Sequence, residues 1–289
     1  MQPIGRLNTW RNTKNITFTA VCQIAAALGV LILVVLLVGL WQEGNQNLDK
    51  TLFTSYPSSN PKIAGAWPAI MGSVWIVAIT ALVAVPVGIA AAVYLEEYQR
   101  KKTWLLRVIQ INISNLAGVP SIVYGLLGLA LFVRQLALGR SILAGSLTMA
   151  LLVLPMVIII SQEALRAVPK TYRESSLALG ATEWQTISRQ VLPAAMPGIF
   201  TGIILSISRA IGETAPLMVI GAAVFIMRAP RSPMEKFTVL PIQIFNWAGE
   251  ADKAFHPIAG SAIIVLMGVL LGLNSIAIFL RARQNKKQS

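Results

Sequence analysis

Residues 141–162 read SILAGSLTMALLVLPMVIIISQ, bounded by Arg140 and Glu163 and without a charged side chain between them. An α-helix rises about 1.5 Å per residue, so about 20 predominantly apolar residues cross the roughly 30 Å of hydrocarbon in a bilayer. This stretch is long enough for one crossing. Outward from it the pattern recurs: charge-free runs cover 15–42, 63–95, 108–133 and 254–280, and a sixth run, 195–225, is broken only by Arg209 and Glu213. The expected fold is therefore all-α, a polytopic membrane protein with six transmembrane helices.

Composition points the same way. Of 289 residues, 55% are hydrophobic and 12% are charged, and the mean hydropathy is +0.68. Such a chain is too apolar for a soluble globular domain, and it carries too much buriable surface for a disordered one. One cysteine, Cys22, and one histidine, His256, leave no intrachain disulfide and no basis for a thiolate or imidazole metal site. No metal and no cofactor are expected.

The first run follows Arg6, Arg11 and Lys14 and ends in Val38-Gly39-Leu40-Trp41. It is too long for a signal peptide and closes on an interfacial tryptophan rather than a small-residue cleavage site, so it is expected to remain as a helix. Basic residues set the orientation, because Lys and Arg are retained on the cytoplasmic side. With both termini inside, fifteen fall on the cytoplasmic side, among them Arg100, Lys101, Lys102, Arg107, Arg166 and Arg173, against eight outside. The net charge of +13 is thus accounted for by topology and attraction to anionic lipid, and implies no nucleic-acid partner.

Between the fourth and fifth runs lies a cytoplasmic loop at about 162–195, longer than two antiparallel helices need. Thr171-Tyr172-Arg173-Glu174 fits a capping box that starts a short helix, and Gly180 can end it in the left-handed conformation. Thr182-Glu183-Trp184-Gln185 repeats the capping pattern for a second helix, expected to stop before Pro193. Trp184, Ile187 and Val191 recur at helical spacing and form an apolar stripe. The stripe either packs back on the membrane helices and headgroups or serves as a docking surface; patterning leaves both open.

The stretch Glu174-Ser175-Ser176-Leu177-Ala178-Leu179-Gly180, with Val191-Leu192-Pro193 after the second helix, resembles the EAA loop of permease subunits of bacterial ABC importers. In that family the loop seats in a groove of the cytoplasmic ATPase. The resemblance implies ATPase-coupling roles for Glu174, Ser175, Ser176, Gly180, Trp184, Ile187, Leu192 and Pro193. The family pattern has alanines where Ser175 and Ser176 stand and an isoleucine where Gln190 stands, so Ile187 or Val191 is left to supply that packing. Leu95-Glu96-Glu97-Tyr98, Asn115–Gly125 including Gly118-Val119-Pro120-Ser121, Arg209-Ala210-Ile211-Gly212-Glu213-Thr214-Ala215-Pro216 and Leu240–Phe245 narrow the match. Together they resemble the PstA-type permeases of the phosphate-specific importer, over roughly residues 65–280.

What the resemblance implies is an ABC type I importer permease fold in the inner membrane. Residues 1–65 hold the N-terminal segment, first helix and outer loop, 66–280 the transmembrane domain, and 281–289 a cytoplasmic tail. The implied partners are a homologous second permease forming a heterodimer, ATP-binding cassette ATPase subunits, an extracytoplasmic phosphate-binding protein and phosphate itself. The chain is expected not to be an enzyme. It has no Gly-Lys pair and so no Walker A loop, and no Ser-His-Asp or paired-carboxylate constellation, which leaves ATP hydrolysis to a partner.

Arg209 stands about eleven residues past Gly198, where the fifth span is expected to enter, and so near mid-bilayer. An arginine there costs about 2.5–3.5 kcal/mol unless a partner or a water-filled cavity receives it. Glu213, four residues on, can pair with it on one helix face; the alternative is a transient bidentate contact of the guanidinium with phosphate, weak enough to release it. Thr214 adjoins the pair. Asn112, Ser114, Asn115 and Ser121 flank the Gly118–Pro120 interruption and either bond neighbouring helices or line the pathway. Two GxxxG patterns, at Gly198 and Gly202 and at Gly268 and Gly272, mark helix packing. His256 is read as an interfacial anchor. A sulfate or molybdate permease, or a non-conducting scaffold or sensor, are the alternative functions.

Overall fold

The computed structural model describes residues 4–98, 103–222, 226 and 228–288. Arg100, Lys101 and Lys102, and the end of the sixth run at 223–225, lie outside the described residues. No strand occurs among the described residues. The helices are α1 (Ile4–Gly44), α2 (Lys50–Thr54), α3 (Trp67–Val93), α4 (Trp104–Ala117), α5 (Ser121–Gly128), α6 (Ile142–Ala167), α7 (Lys170–Ala178), α8 (Glu183–Thr186), α9 (Leu192–Ile211), α10 (Ala215–Ile220), α11 (Leu240–Ala248) and α12 (His256–Gln288). Wider π-helical turns extend α3 over Tyr94–Tyr98, extend α5 over Leu129–Gln135, and join α8 to α9 over Ile187–Val191.

α6 is the centre of the bundle, packed between α3 and α9. Met149, Val153, Val157 and Leu165 of α6 share one apolar cluster with Ile76 of α3 and Ile199 of α9. Small residues set the close approaches: Gly88 of α3 lies against Val157, and Gly198 and Gly202 of α9 lie against Ala164 and Ile160. A side chain at any of these glycines would push the helices apart. The first GxxxG pattern therefore packs a helix pair. Gly268 and Gly272 have nothing within 4 Å, so the second has no packing role among the described residues. A smaller cluster of Leu52, Trp247, Phe255 and Ile258 closes the opposite end from the coupling loop.

The periphery is apolar and exposed, as lipid contact requires. Val35 and Leu36 of α1 are exposed, and α1 meets the rest of the chain where Gly44 crosses Gly260 of α12 and accepts a hydrogen bond from Ser261 Oγ at 2.5 Å. Among the described residues five helices are long and apolar enough to span a membrane, and α4 with α5 completes a sixth only as a bent pair, turning 102° at the break. The third span is thus not a straight helix. Pro120 has no amide to continue α4, and the Tyr124 hydroxyl donates to the Leu116 carbonyl at 2.9 Å across the bend.

Three local expectations need correction. Thr171 does not cap α7: Pro169 holds the preceding Val168 in an extended conformation, so α6 stops at Ala167 and α7 begins at Lys170, with no side-chain cap. Pro193 does not stop the second loop helix. A π-turn precedes it, in which the Leu192 amide reaches the Ile187 carbonyl, one residue further back than in an α-helix, and the proline stands in the first turn of α9, where a missing amide is tolerated. The fifth span does not run on through Glu213 either, because α9 ends at Ile211 and α10 restarts at Ala215 beside Pro216.

Candidate translocation cavity and coupling surface

Two broken spans face each other. Gly125 of α5 lies against Pro216 and Val219 of the α10 segment, so close that a β-carbon there would overlap the proline backbone. Beside this contact the breaks at Gly118–Pro120 and after Ile211 enclose a cavity of about 440 Å³. Its polar lining includes Ser121, Tyr124, Ser206, Arg209 and Glu213, set among Leu152, Met156 and Leu205. A discontinuous helix leaves main-chain groups free where it breaks, which is tolerated at membrane depth where they line a cavity. α5 starts here with no side-chain cap, so the positive end of its dipole and the Arg209 guanidinium belong to the same hollow.

The structure brings together Arg209, Glu213 and Ser121 from the expected pathway residues. Arg209 is exposed and lies in the last turn of α9, where the helix dipole favours a cation. It is not in the middle of a continuous span. Glu213 is not on its helix face, since the chain has left the helix, and no ion pair joins the two among the described residues. Thr214 precedes α10 without capping it and does not line the cavity. Asn112 bonds the Val108 carbonyl of its own helix at 2.8 Å, and Asn115 is exposed. Neither bonds a neighbouring helix. That task falls to Gln110 and Gln162, whose amides exchange hydrogen bonds of 3.0 Å between α4 and α6. Tyr124 and Ser206 are polar lining residues the sequence reading missed; a tyrosine one helical turn past a Gly-x-Pro break was the available signal for the first.

On the loop, the Thr182 capping box is complete. The Gln185 amide donates to Thr182 Oγ1 at 3.2 Å, and the Thr182 amide donates to Gln185 Oε1 at 2.9 Å. Gly180 has φ +82, the left-handed geometry that ends α7. Ser176 Oγ and Thr186 Oγ1 meet at 2.9 Å and tie the two loop helices together. The apolar stripe divides: Trp184 is 61% exposed, while Ile187 and Val191 are 4% and 0% exposed and pack into the main cluster. Ile187 is thereby withdrawn from the surface a partner would touch. Glu174, Ser175 and Pro193 are exposed and Leu192 is half-buried. An open groove of about 570 Å³, lined by Thr171, Tyr172, Ser175, Leu179, Gln185 and Gln190, lies between the loop helices.

Arginines at the elbow between α6 and α7 were counted for topology, and the structure gives them a second role. Arg173 donates to both carboxylate oxygens of Glu97, at 2.9 and 2.5 Å, and to the main-chain carbonyls of Val168 and Leu165. These bonds to Glu97 hold its guanidinium above the usual arginine range against the opposing effect of burial, and the charges of Glu97 and Glu96 add to the shift. Arg166 pairs with Glu96 at 2.8 Å. The Glu97 side chain is 7% exposed, so removing its partner costs on the order of 3 kcal/mol, whereas the more exposed Arg166–Glu96 pair is worth less than about 1 kcal/mol.

Comparison with known proteins locates this architecture. Residues 84–287 match the family of binding-protein-dependent transport system inner membrane components. A probable ABC transporter permease protein, YqgH of Bacillus subtilis, is 40% identical over 60% of this chain and 57% of its own length. The phosphate transport system permease protein PstA 1 of Mycobacterium tuberculosis is 44% identical over 54% of this chain and 51% of its own length. The chain thus spans about half the length of these two relatives. It matches the phosphate transport system permease protein PstA of Yersinia pestis at 32% identity over 96% of this chain and 93% of that one. In fold it is similar to a bacterial ABC transporter that imports alginate, with TM-score 0.64, 17% identity, and 96% and 99% of the two chains covered. The MetNI methionine ABC transporter gives TM-score 0.60 at 17% identity, over 78% and 99%. The chain belongs to the binding-protein-dependent transport system inner membrane components, multi-pass permeases of ABC importers, and within them to the PstA-type permeases.

Proposed function

We propose that this chain is the permease subunit of an ATP-driven importer of inorganic phosphate and forms half of the translocation pathway beside a homologous second permease. One observation carries the reading. An arginine without an ion pair among the described residues opens into a cavity between two broken spans, in a chain that matches a phosphate permease along 93% of that protein's length.

The arginine offers paired N–H donors to an oxyanion, and the α5 N-terminus adds main-chain dipoles to the same hollow. Ser121 supplies a hydroxyl. Glu213 lowers the net positive charge, which keeps the contact weak enough for release. Asn112, Asn115 and Thr214, also expected in the pathway, are not among the cavity's lining residues. ATP hydrolysis is done by partner ATPase subunits that seat against α7, Gly180 and Trp184, and an extracytoplasmic binding protein delivers phosphate to the opposite face. Both termini are cytoplasmic, with 1–65 and 281–289 flanking a transport domain at 66–280.

Uptake of labelled phosphate into membrane vesicles holding the whole assembly, with and without this chain, tests the reading. The expected result is uptake that needs both the chain and ATP and resists competition by sulfate and molybdate. Dependence on the chain with sulfate or molybdate preferred would overturn the phosphate assignment alone. No dependence on the chain would replace transport with a scaffold or sensing role.

A further inference from the structure

Within the coupling loop, α7 is continuous with α6 on one side and with α8 and α9 on the other. α3 is joined to neither, yet it is a membrane span packed along α6. We propose that Glu96 and Glu97, at the loop-side end of α3, form a clasp through which movement of α7 is carried into α3; the inference rests on the transport reading above.

The geometry is specific. Arg173 belongs to α7, and its bonds reach two other elements: the π-turn after α3 through Glu97, and the end of α6 through the Leu165 and Val168 carbonyls. Both carbonyls lie where α6 stops and its carbonyls run out of helical donors; that of Leu165 also accepts from the Val168 amide at 3.3 Å. Arg166, on the α6 side of the elbow, takes Glu96. Two adjacent carboxylates thus hold one arginine on each side of the Val168–Pro169 elbow.

The π-turn makes this reach possible. Successive side chains diverge by about 100° in an α-helix and by less in the wider turn, so Glu96 and Glu97 both address the elbow. Glu97 also borders a hollow lined by Leu177, Glu183, Thr186 and Ile187, so both halves of the loop surround the clasp. α7 cannot tilt without moving α3 or breaking the bidentate pair. A carboxylate held by a fork of two donors transmits direction as well as attraction.

The test uses the complete assembly in vesicles and reads phosphate taken up per ATP hydrolysed. Glu97→Gln keeps the shape and removes the charge. The expected result is ATP hydrolysis within about twofold of the parent, with phosphate per ATP lowered about tenfold. The double exchange Glu97→Arg with Arg173→Glu should recover part of that ratio. If the ratio stays at the parental value, whether both rates are unchanged or both fall in step with the amount of complex, Glu97 only stabilises the fold and the proposal fails. Should Glu97→Gln prevent assembly, Glu96→Gln carries the same readout, because its pair with Arg166 is exposed and dispensable for folding. A fall of about two- to threefold in the ratio supports the clasp, and an unchanged ratio overturns it. If the parent assembly transports a different oxyanion, the ratio is measured with that ion, so a wrong substrate assignment and a wrong clasp give separate results.

Discussion

At the elbow between α6 and α7, Arg173 makes four hydrogen bonds and its carboxylate partner is nearly enclosed. In the cavity between the broken spans, Arg209 has no ion pair among the described residues and stays exposed. The same side chain is used in opposite ways. A guanidinium that spends four of its N–H donors in this way fixes the geometry of the elements around it, and a bidentate contact with anything else would require giving up some of those bonds. A guanidinium left with open donors, held only by the end of a helix dipole, can exchange water for an anion and back at small cost. On the transport reading and the clasp proposed above, the chain separates these tasks, with the heavily bonded arginine where force is applied and the open one where cargo passes.

Removing Arg209 should break the contrast most severely. A charge-assisted contact is worth about 1.5–3 kcal/mol, so Arg209→Ala should lower phosphate uptake by about 10- to 100-fold with the amount of assembled complex unchanged. Arg209→Lys keeps the charge without the fork and should fall between the two. Uptake by vesicles of matched subunit content checks both, and full activity in Arg209→Ala would assign the cavity no part in transport.

Gly180→Leu has the next largest effect expected. No atom lies within 4 Å of a β-carbon at this position, so the cost is conformational alone, about 1–2 kcal/mol at φ +82. Copurification of the ATPase and its transport-linked hydrolysis should weaken while the chain still reaches the membrane. Intact coupling would mean the turn between α7 and α8 does not set the docking surface.

The smallest change separates the two capping motifs. Thr182→Ala should lower the thermal stability of the solubilised chain by about 1 kcal/mol, whereas Thr171→Ala, where the side chain caps nothing, should stay within about 0.5 kcal/mol. Equal effects would contradict the different starts of the two loop helices.

The spans were legible because a bilayer enforces a length and an absence of charge, and both can be read along the chain. The Thr182 box and the Gly180 turn were legible because each is decided by residues within one helical turn. Thr171 has the same local pattern and fails, since Pro169 two residues earlier already fixes where α7 begins. Pro193 failed as a stop signal because it falls in the first turn of α9, after a π-turn that keeps the chain helical. The pairs Glu96–Arg166 and Glu97–Arg173 join residues 70 and 76 positions apart; no periodicity encodes such a contact. Of the pathway residues, Arg209 stood out by its cost in a membrane, while the direction of Glu213 depended on a helix end that Gly212 and Pro216 only suggest.

The π-turn at Ile187–Val191 has one mechanical consequence. Because the chain stays helical through it, Glu183–Ile211 forms a single shaft, with the exposed Trp184 near one end and Arg209 near the other. At about 1.5 Å per residue the two are roughly 38 Å apart. A displacement of the indole reaches the guanidinium along this shaft only by sliding the buried face of α9 past α6, where Gly198 and Gly202 meet Ala164 and Ile160, so that close packing bounds the stroke.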